Sequence, residues 1–228
     1  MVKLVVVAAW EPELARFREG LAGAGSGEVE VVLATLGVGA VEAAIGMTQC
    51  VARHAPDAAL LIGTAGSLPR ARGEGELAIG DVVVASAVRI VDGALLDGRA
   101  ELPPPMPAVA RTDAVLHGAL AACGAKSVQI ANPVGITVDD GLAARLGAGD
   151  DHVEHLEAFA FARACAAAQV RCGILLGIAN GVGAHGRAEW LANHARASAL
   201  AGELALSAIE PIAVALRMTT TARSRGRA

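Results

Sequence analysis

The chain of 228 residues has no Tyr, three Phe and two Trp. A core without large rings has to be filled by small aliphatic side chains, which suits helices packed closely on a parallel sheet. Positive charge is not in excess either: 19 Lys and Arg against 23 Asp and Glu leave a formal charge of −4. That balance excludes a broad basic face, so nucleic acid is not an expected partner. No apolar run reaches the ~18–20 residues that a membrane span needs. The apolar start, residues 1–9, is brief and runs into Glu11 and Glu13, so it reads as a buried strand rather than a leader, and no membrane contact is expected. Four cysteines, Cys50, Cys123, Cys165 and Cys172, lack metal-ligand spacing; reduced, buried thiols in a cytoplasmic protein and no metal site are the expectation.

What is present is alternation. β-branched runs at 4–8, 29–33, 58–62, 81–91, 128–134 and 172–179 read as strands. Between them, 12–22, 41–52, 113–123, 153–169 and 188–216 read as helices, with Pro12 in a first turn and Thr112 or Asp113 as a cap. Residues 92–107 are rich in Gly and Pro and read as a loop. The pattern predicts one α/β domain over 1–216: a three-layer, mixed but mainly parallel sheet flanked by helices. The basic stretch 217–228 is expected to be a disordered tail. In such folds ligands bind beyond the carboxyl ends of strands.

Four short patterns follow strands in this way. Trp10-Glu11-Pro12-Glu13 places carboxylates beside an apolar ring, where burial raises a carboxyl's pKa and makes it a base; acidic residues also simply favour a helix's first turn. Gly63-Thr64-Ala65-Gly66-Ser67 is a small-residue turn whose amides suit an anion or a polarised water, although a bare tight turn reads the same way. Glu154 and Glu157 sit three apart in a helical pattern and suit sugar hydroxyls or a solvated helix start; His152 and His155 read as surface residues. Asn180, between a strand and Gly181-Val182-Gly183, presents its amide to a ligand or closes a turn. Trp190 reads as core.

The order of these patterns, with Gly37-x-Gly39 and Ile79-Gly80-Asp81-Val82-Val83-Val84 between them, resembles the nucleoside phosphorylase and nucleosidase superfamily over about residues 1–210. Within it, residues 177–183, then Arg187-Ala188-Glu189-Trp190, and Gly135-Ile136-Thr137-Val138 are similar to the futalosine hydrolases, which cleave an inosine-like nucleoside in menaquinone biosynthesis. Methylthioadenosine and adenosylhomocysteine nucleosidases are the nearest competing family. The resemblance implies that Glu13 activates the attacking water, with Glu11 as the alternative if the register slips, and that Thr64 helps hold that water. It implies that Glu157 binds the ribose hydroxyls, with Leu156 where relatives carry Met, and that Gly63, Gly66 and Ile136 belong to the substrate site. Asn180 matches the purine-recognition position, where adenine-cleaving members carry Asp. No cofactor is implied, and association into a homo-oligomer, a dimer by preference, is.

The chemistry agrees. Cleavage of the N-glycosidic bond builds negative charge on the departing base. An Asn offers an acceptor for a protonated N7 and a donor for O6, whereas an ionised Asp has no donor. A 6-oxopurine nucleoside is therefore the expected partner. Phosphorylases of the superfamily place an Arg where this chain has Leu61, so hydrolysis is expected; Arg70 and Arg72 keep phosphorolysis as the alternative. Relatives also carry an Arg where this chain has Leu176, and the segment 139–152 lacks the ring that stacks on the base. A catalytically weak nucleoside-binding protein is therefore a further alternative.

Overall fold

The computed structural model describes residues 1–21, 29–70 and 77–225, with the side chains of the last helix described as far as Met218. Eight strands form one mixed sheet: β1 (Val2–Ala8), β2 (Val29–Thr35), β3 (Ala58–Ser67), β4 (Val82–Ile90), β5 (Val109–Arg111), β6 (Lys126–Asn132), β7 (Val153–Glu154) and β8 (Arg171–Gly181). The helices are α1 (Ala15–Leu21), α2 (Ala40–His54), α3 (Gly93–Leu96), α4 (Ala114–Ala122), α5 (Asp140–Gly147), α6 (Ala158–Ala167) and α7 (Gly186–Arg225).

The sheet runs β2-β1-β3-β7-β6-β4-β5, and β8 pairs with both β3 and β4. The β1–β2, β1–β3, β3–β8, β4–β6 and β6–β7 pairs are parallel; β3–β7, β4–β5 and β4–β8 are antiparallel. Strands β3, β8, β4, β6 and β7 thus close on one another, which brings the carboxyl ends of β3 and β8 beside β7.

Alternation along the strands feeds two cores. Val5 and Val7 of β1, with Leu61 of β3 and Ile174 of β8, meet Met47 of α2 and Phe161 of α6. Leu4, Val6 and Ile62 point the other way, to Phe17 of α1, Leu116 of α4 and Ala205 of α7. This is the predicted three-layer arrangement, and its aliphatic filling follows from the scarcity of rings. Close approach is visible at Gly177: a Cβ there would lie 2.1 Å from the Ala197 carbonyl oxygen. Helix α7 therefore rests on β8 backbone to backbone, which sends its first turns over the carboxyl ends of the sheet.

The structure corrects several expected boundaries. Residues 63–67 are not a turn but the last half of β3, with an irregularity between Ala65 and Gly66. The helix expected from Val153 starts only at Ala158, because Val153 and Glu154 pair with β3 and β6. The loop at 92–107 contains the short α3, capped by Asp92, and α5 was not expected at all. The tail expected to be disordered from Arg217 continues α7 to Arg225; residues 226–228 lie outside the described residues. Helix α7 also holds a stretch apolar and long enough to cross a membrane by length and composition, although no such run was expected. Ala197, Ala201, Ala205 and Ile212 on that stretch are buried against the sheet, as in a core helix.

Candidate active site

A cleft of about 540 Å³ opens where β3, β7 and β8 end. One corner is built on the first strand. After β1 the chain turns through Trp10 into a 3-10 turn, Glu11–Leu14, with Pro12 in its first positions. Leu14 anchors the turn in the core, and Glu13 faces inward with 8% of its surface exposed. Its carboxylate lies directly on Gly63, where a Cβ would come within 3.0 Å of Oε2 and 3.1 Å of Oε1. Thr64 donates twice to Oε1, from its backbone N–H at 3.0 Å and its hydroxyl at 2.9 Å. The Trp190 indole N–H donates in turn to Thr64 Oγ1 at 3.1 Å.

Burial raises the Glu13 pKa from its ordinary 4.5 to about 7; the Thr64 hydroxyl opposes the shift and the charge of Glu157 adds to it. A carboxylate poised near neutrality suits a general base. Glu11, the alternative, is exposed, bonds Arg18 and does not line the cleft.

The second corner is Glu157, buried at the start of α6. Its carboxylate does not cap its own helix. It reaches across to α2, where the N–H of Gly39 donates to Oε1 at 2.7 Å. Gly39 has φ +90°, a backbone that favours glycine and aims this N–H at the cleft. The capping falls to His155, whose Nδ1 accepts from the N–H groups of Glu157 and Ala158 at 3.2 and 3.1 Å. His155 is therefore buried, not a surface residue, and burial lowers its pKa. The same Nδ1 lies 3.3 Å from Glu157 Oε2, so the ring packs against the carboxylate as well.

Glu154 does not share a helix face with Glu157. It sits on β7, where Oε1 accepts from Thr137 N–H at 3.1 Å, Oε2 has no partner among the described residues, and burial raises the pKa. Leu156 lines the cleft between them, and its carbonyl accepts from Asn132.

The third corner is the end of β8. Asn180 Nδ2 donates to the Gly181 carbonyl at 2.8 Å, and the N–H of Gly181 is held by Glu189 of α7 at 2.7 Å. One amide hydrogen and the carbonyl oxygen of Asn180 remain for a ligand. Gly66, paired with Asn180, makes room for it: a Cβ at 66 would stand 2.9 Å from Asn180 Nδ2 and 2.8 Å from Val182. Gly63 and Gly66 therefore act by giving way to functional side chains, and only Gly66 also lines the cleft. Ile136 stands at the mouth, 55% exposed.

A family model, the Phosphorylase superfamily, matches residues 9–210. The chain belongs to that superfamily. Among curated relatives, a 5′-methylthioadenosine/S-adenosylhomocysteine nucleosidase of Shewanella sediminis is 33% identical over 101 residues, covering 39% of this chain and 42% of the relative. The chain thus spans about two fifths of that relative's length. A futalosine hydrolase mutant of Helicobacter pylori superposes with a TM-score of 0.80 at 17% identity, over 92% of this chain and 99% of the other. A methylthioadenosine/adenosylhomocysteine nucleosidase of Colwellia psychrerythraea, solved with adenine, gives 0.80 at 22% identity, over 92% and 96%. The shared fold is that of the superfamily.

Against that background, this phosphorylase superfamily member departs in a consistent direction. Leu61 and Leu176 are wholly buried in one apolar cluster, and the register pairs Leu176 with Gly63, beneath Glu13. No guanidinium enters the site at either position. Arg70 donates to the Asp151 and Gly149 carbonyls and does not line the cleft; Arg72 lies outside the described residues.

Sequence reasoning set Trp10 beside the carboxylates but read Trp190 as core and missed the ring cluster. Trp10, Trp190 and His194 form a cluster on the cleft wall, with Trp190 stacked on His194 at 4.3 Å and 17° and tilted to Trp10 at 6.1 Å. These rings line the cleft from the turn after β1 and from α7, not from 139–152. The available signal was that an indole N–H, when covered, has to find an acceptor.

Proposed function

We propose that the protein is a nucleosidase that hydrolyses the N-glycosidic bond of a 6-oxopurine nucleoside, in the manner of the futalosine hydrolases. The observation that carries this reading is the convergence of Glu13, Glu157 and Asn180 on one cleft. Ionised Glu13 takes a proton from water as the water oxygen bonds to C1′ and the C1′–N9 bond breaks. Glu157 holds ribose hydroxyls. As the C1′–N9 bond breaks, N7 of the departing base takes a proton from solvent water; Asn180 accepts from that N7–H and donates to O6. Water rather than phosphate is supported by Leu61, which leaves no cation beneath Glu13; Arg187, the guanidinium that lines the cleft, lies over the Trp190 ring instead. Self-association is proposed with it: Val38 on the cleft, Val41 and Ile45 on α2, and Val134 after β6 are exposed apolar residues, and a second copy suits such surface.

The test is release of free base from inosine, guanosine, futalosine, adenosine and methylthioadenosine, with and without phosphate. Hydrolysis of 6-oxopurine nucleosides without phosphate is expected. Release that depends on phosphate would make the protein a phosphorylase. Preferential release of adenine would place it with the methylthioadenosine nucleosidases, and binding without release would make it a binding protein. Asn180→Asp is expected to move the preference toward 6-amino bases by roughly 10- to 100-fold, the worth of one or two well-placed hydrogen bonds. An unchanged preference would remove Asn180 from base recognition.

A further inference from the structure

Trp190 is not needed to close the core, yet its position is tightly determined. It lies in the second turn of α7, which the contact of Gly177 with Ala197 seats on β8. His194 stacks on the ring, and the Arg187 guanidinium stands 4.9 Å from its centroid. A ring fixed in this way also has a fixed N–H direction. That N–H ends on Thr64 Oγ1 at 3.1 Å.

An indole N–H only donates, so Thr64 Oγ1 is the acceptor in this pair. The hydroxyl has one hydrogen, and its other short partner is Glu13 Oε1 at 2.9 Å. The direction of the chain is thereby settled: Trp190 donates to Thr64, and Thr64 donates to Glu13. Oε1 also receives the Thr64 backbone N–H at 3.0 Å, so it holds two donors. Oε2 accepts no side-chain hydrogen bond among the described residues; the Trp10 backbone N–H also favours the ionised carboxylate.

We propose that Trp190 is a positioning residue of the hydrolytic centre: its N–H commits the Thr64 hydroxyl to Glu13 Oε1 and so leaves Oε2 as the oxygen that takes the proton of water. The proposal rests on the hydrolytic reading above for its consequence, but the hydrogen-bond chain exists whatever the substrate. Without the indole, the Thr64 hydroxyl is free to rotate toward other acceptors. Ionised Glu13 then loses part of the bonding that favours it, and its titration moves up. The other titratable and charged groups lining the cleft are Glu154 on β7, His155 and Glu157 before α6 and, from α7, Arg187 and His194 around the ring; of these, Glu157 raises the Glu13 pKa.

The experiment compares Trp190→Phe, Thr64→Val, Thr64→Ser and the Trp190→Phe/Thr64→Val double variant. Base release is followed from about pH 5 to 9, and Glu13 is titrated by carboxyl-carbon NMR, assigned with Glu13→Gln. Phe keeps the ring stack and removes only the donor. Trp190→Phe is expected to lower kcat roughly 3- to 10-fold with KM nearly unchanged, about the worth of one hydrogen bond. It should also raise the acid limb and the NMR titration of Glu13 by roughly half a pH unit. Thr64→Ser, which keeps the hydroxyl, should move the Glu13 titration less than Thr64→Val does. In the Thr64→Val background, adding Trp190→Phe should change nothing further.

The same fold-loss in both backgrounds would overturn the proposal, as would a rise in KM with an unmoved pH profile, which marks Trp190 as a platform for the base. If no nucleoside is cleaved, the hydrolytic reading fails by itself. The NMR titration then decides the positioning role: a shift on Trp190→Phe that vanishes in the Thr64→Val background supports it, and no shift overturns it. Should Trp190→Phe not fold, the Val and Ser variants at 64 carry the test, with an unmoved Glu13 titration in Val overturning the proposal.

Discussion

At one corner of the cleft, Glu13 is held by a chain of side chains that closes on itself: indole to hydroxyl to carboxylate, with a strand N–H on the same oxygen. At the opposite corner, Asn180 is held by its own backbone, through the Gly181 carbonyl, with Glu189 steadying that turn from behind. The first arrangement fixes an ionisable group and its environment together. The second fixes only a direction and leaves half of an amide open to whatever base arrives. A cleft built this way separates two properties. On the proposed function, rate would depend on the corner under Trp190 and choice of base on the corner behind Gly66. Substitutions that respect the division sharpen the comparison, and those that cross it break the account.

The largest effect is expected at Glu13. Glu13→Gln keeps an acceptor for both Thr64 donors and removes the base, so kcat should fall by roughly 10²- to 10⁴-fold while binding persists. In the parent, activity should rise with pH through about 7, because the base works only when ionised. The same shift has a cost in stability. A carboxyl whose folded pKa lies above its unfolded value stabilises the fold fully below about 4.5, and that contribution is lost as pH rises through about 7. Glu13→Gln escapes this penalty, which amounts to about 3 kcal/mol at most for a buried group. Its melting temperature should therefore exceed the parent's by a margin that grows from about pH 4.5 to about 7 and then levels off. A constant margin would mean that Glu13 titrates alike in both states.

Glu157→Gln is expected to act more gently and on two readouts. Loss of a charge-assisted contact to ribose hydroxyls should raise KM roughly 10- to 100-fold. Removing a negative charge that raises the Glu13 pKa should also move the acid limb of kcat to lower pH. A KM effect with an unmoved limb would show that the two carboxylates do not sense each other.

Much of this was legible before any coordinates. The strands were visible because aliphatic residues feed two cores in alternation, and Glu13, Thr64, Glu157 and Asn180 do meet as their position after strands implied. What escaped was set by tertiary contacts. Val153-Glu154-His155-Leu156-Glu157 has helical spacing, yet its first two residues are claimed by β3 and β6, and a buried imidazole takes over the cap. Residues 63–67 look like a turn because they are small. They are small because a carboxylate and an amide lie on the strand at Gly63 and Gly66. Trp190 read as core because nothing local reveals that its N–H meets a hydroxyl 126 positions earlier.

The two glycines of β3 give the finest test of the division. They are three residues apart on one strand, and the same substitution reaches a different corner from each. At Gly63 a methyl would press on both Glu13 oxygens from 3.0 and 3.1 Å. At Gly66 it would meet Val182 Cγ2 at 2.8 Å and Asn180 Nδ2 at 2.9 Å. Crowding of this kind typically costs about 1–3 kcal/mol, so each variant should fold and lose roughly tenfold in function. Gly63→Ala is expected to lower kcat and displace the pH limb while leaving the ratio of inosine to adenosine cleavage untouched. Gly66→Ala is expected to narrow that ratio and raise KM with the pH limb in place. If each variant moved both readouts, the corners would be one mechanical unit, and the separation of rate from base choice would not hold. The short distance along β3 makes that a demanding comparison, because only the side chains seated on the strand, and not the strand itself, distinguish the two positions.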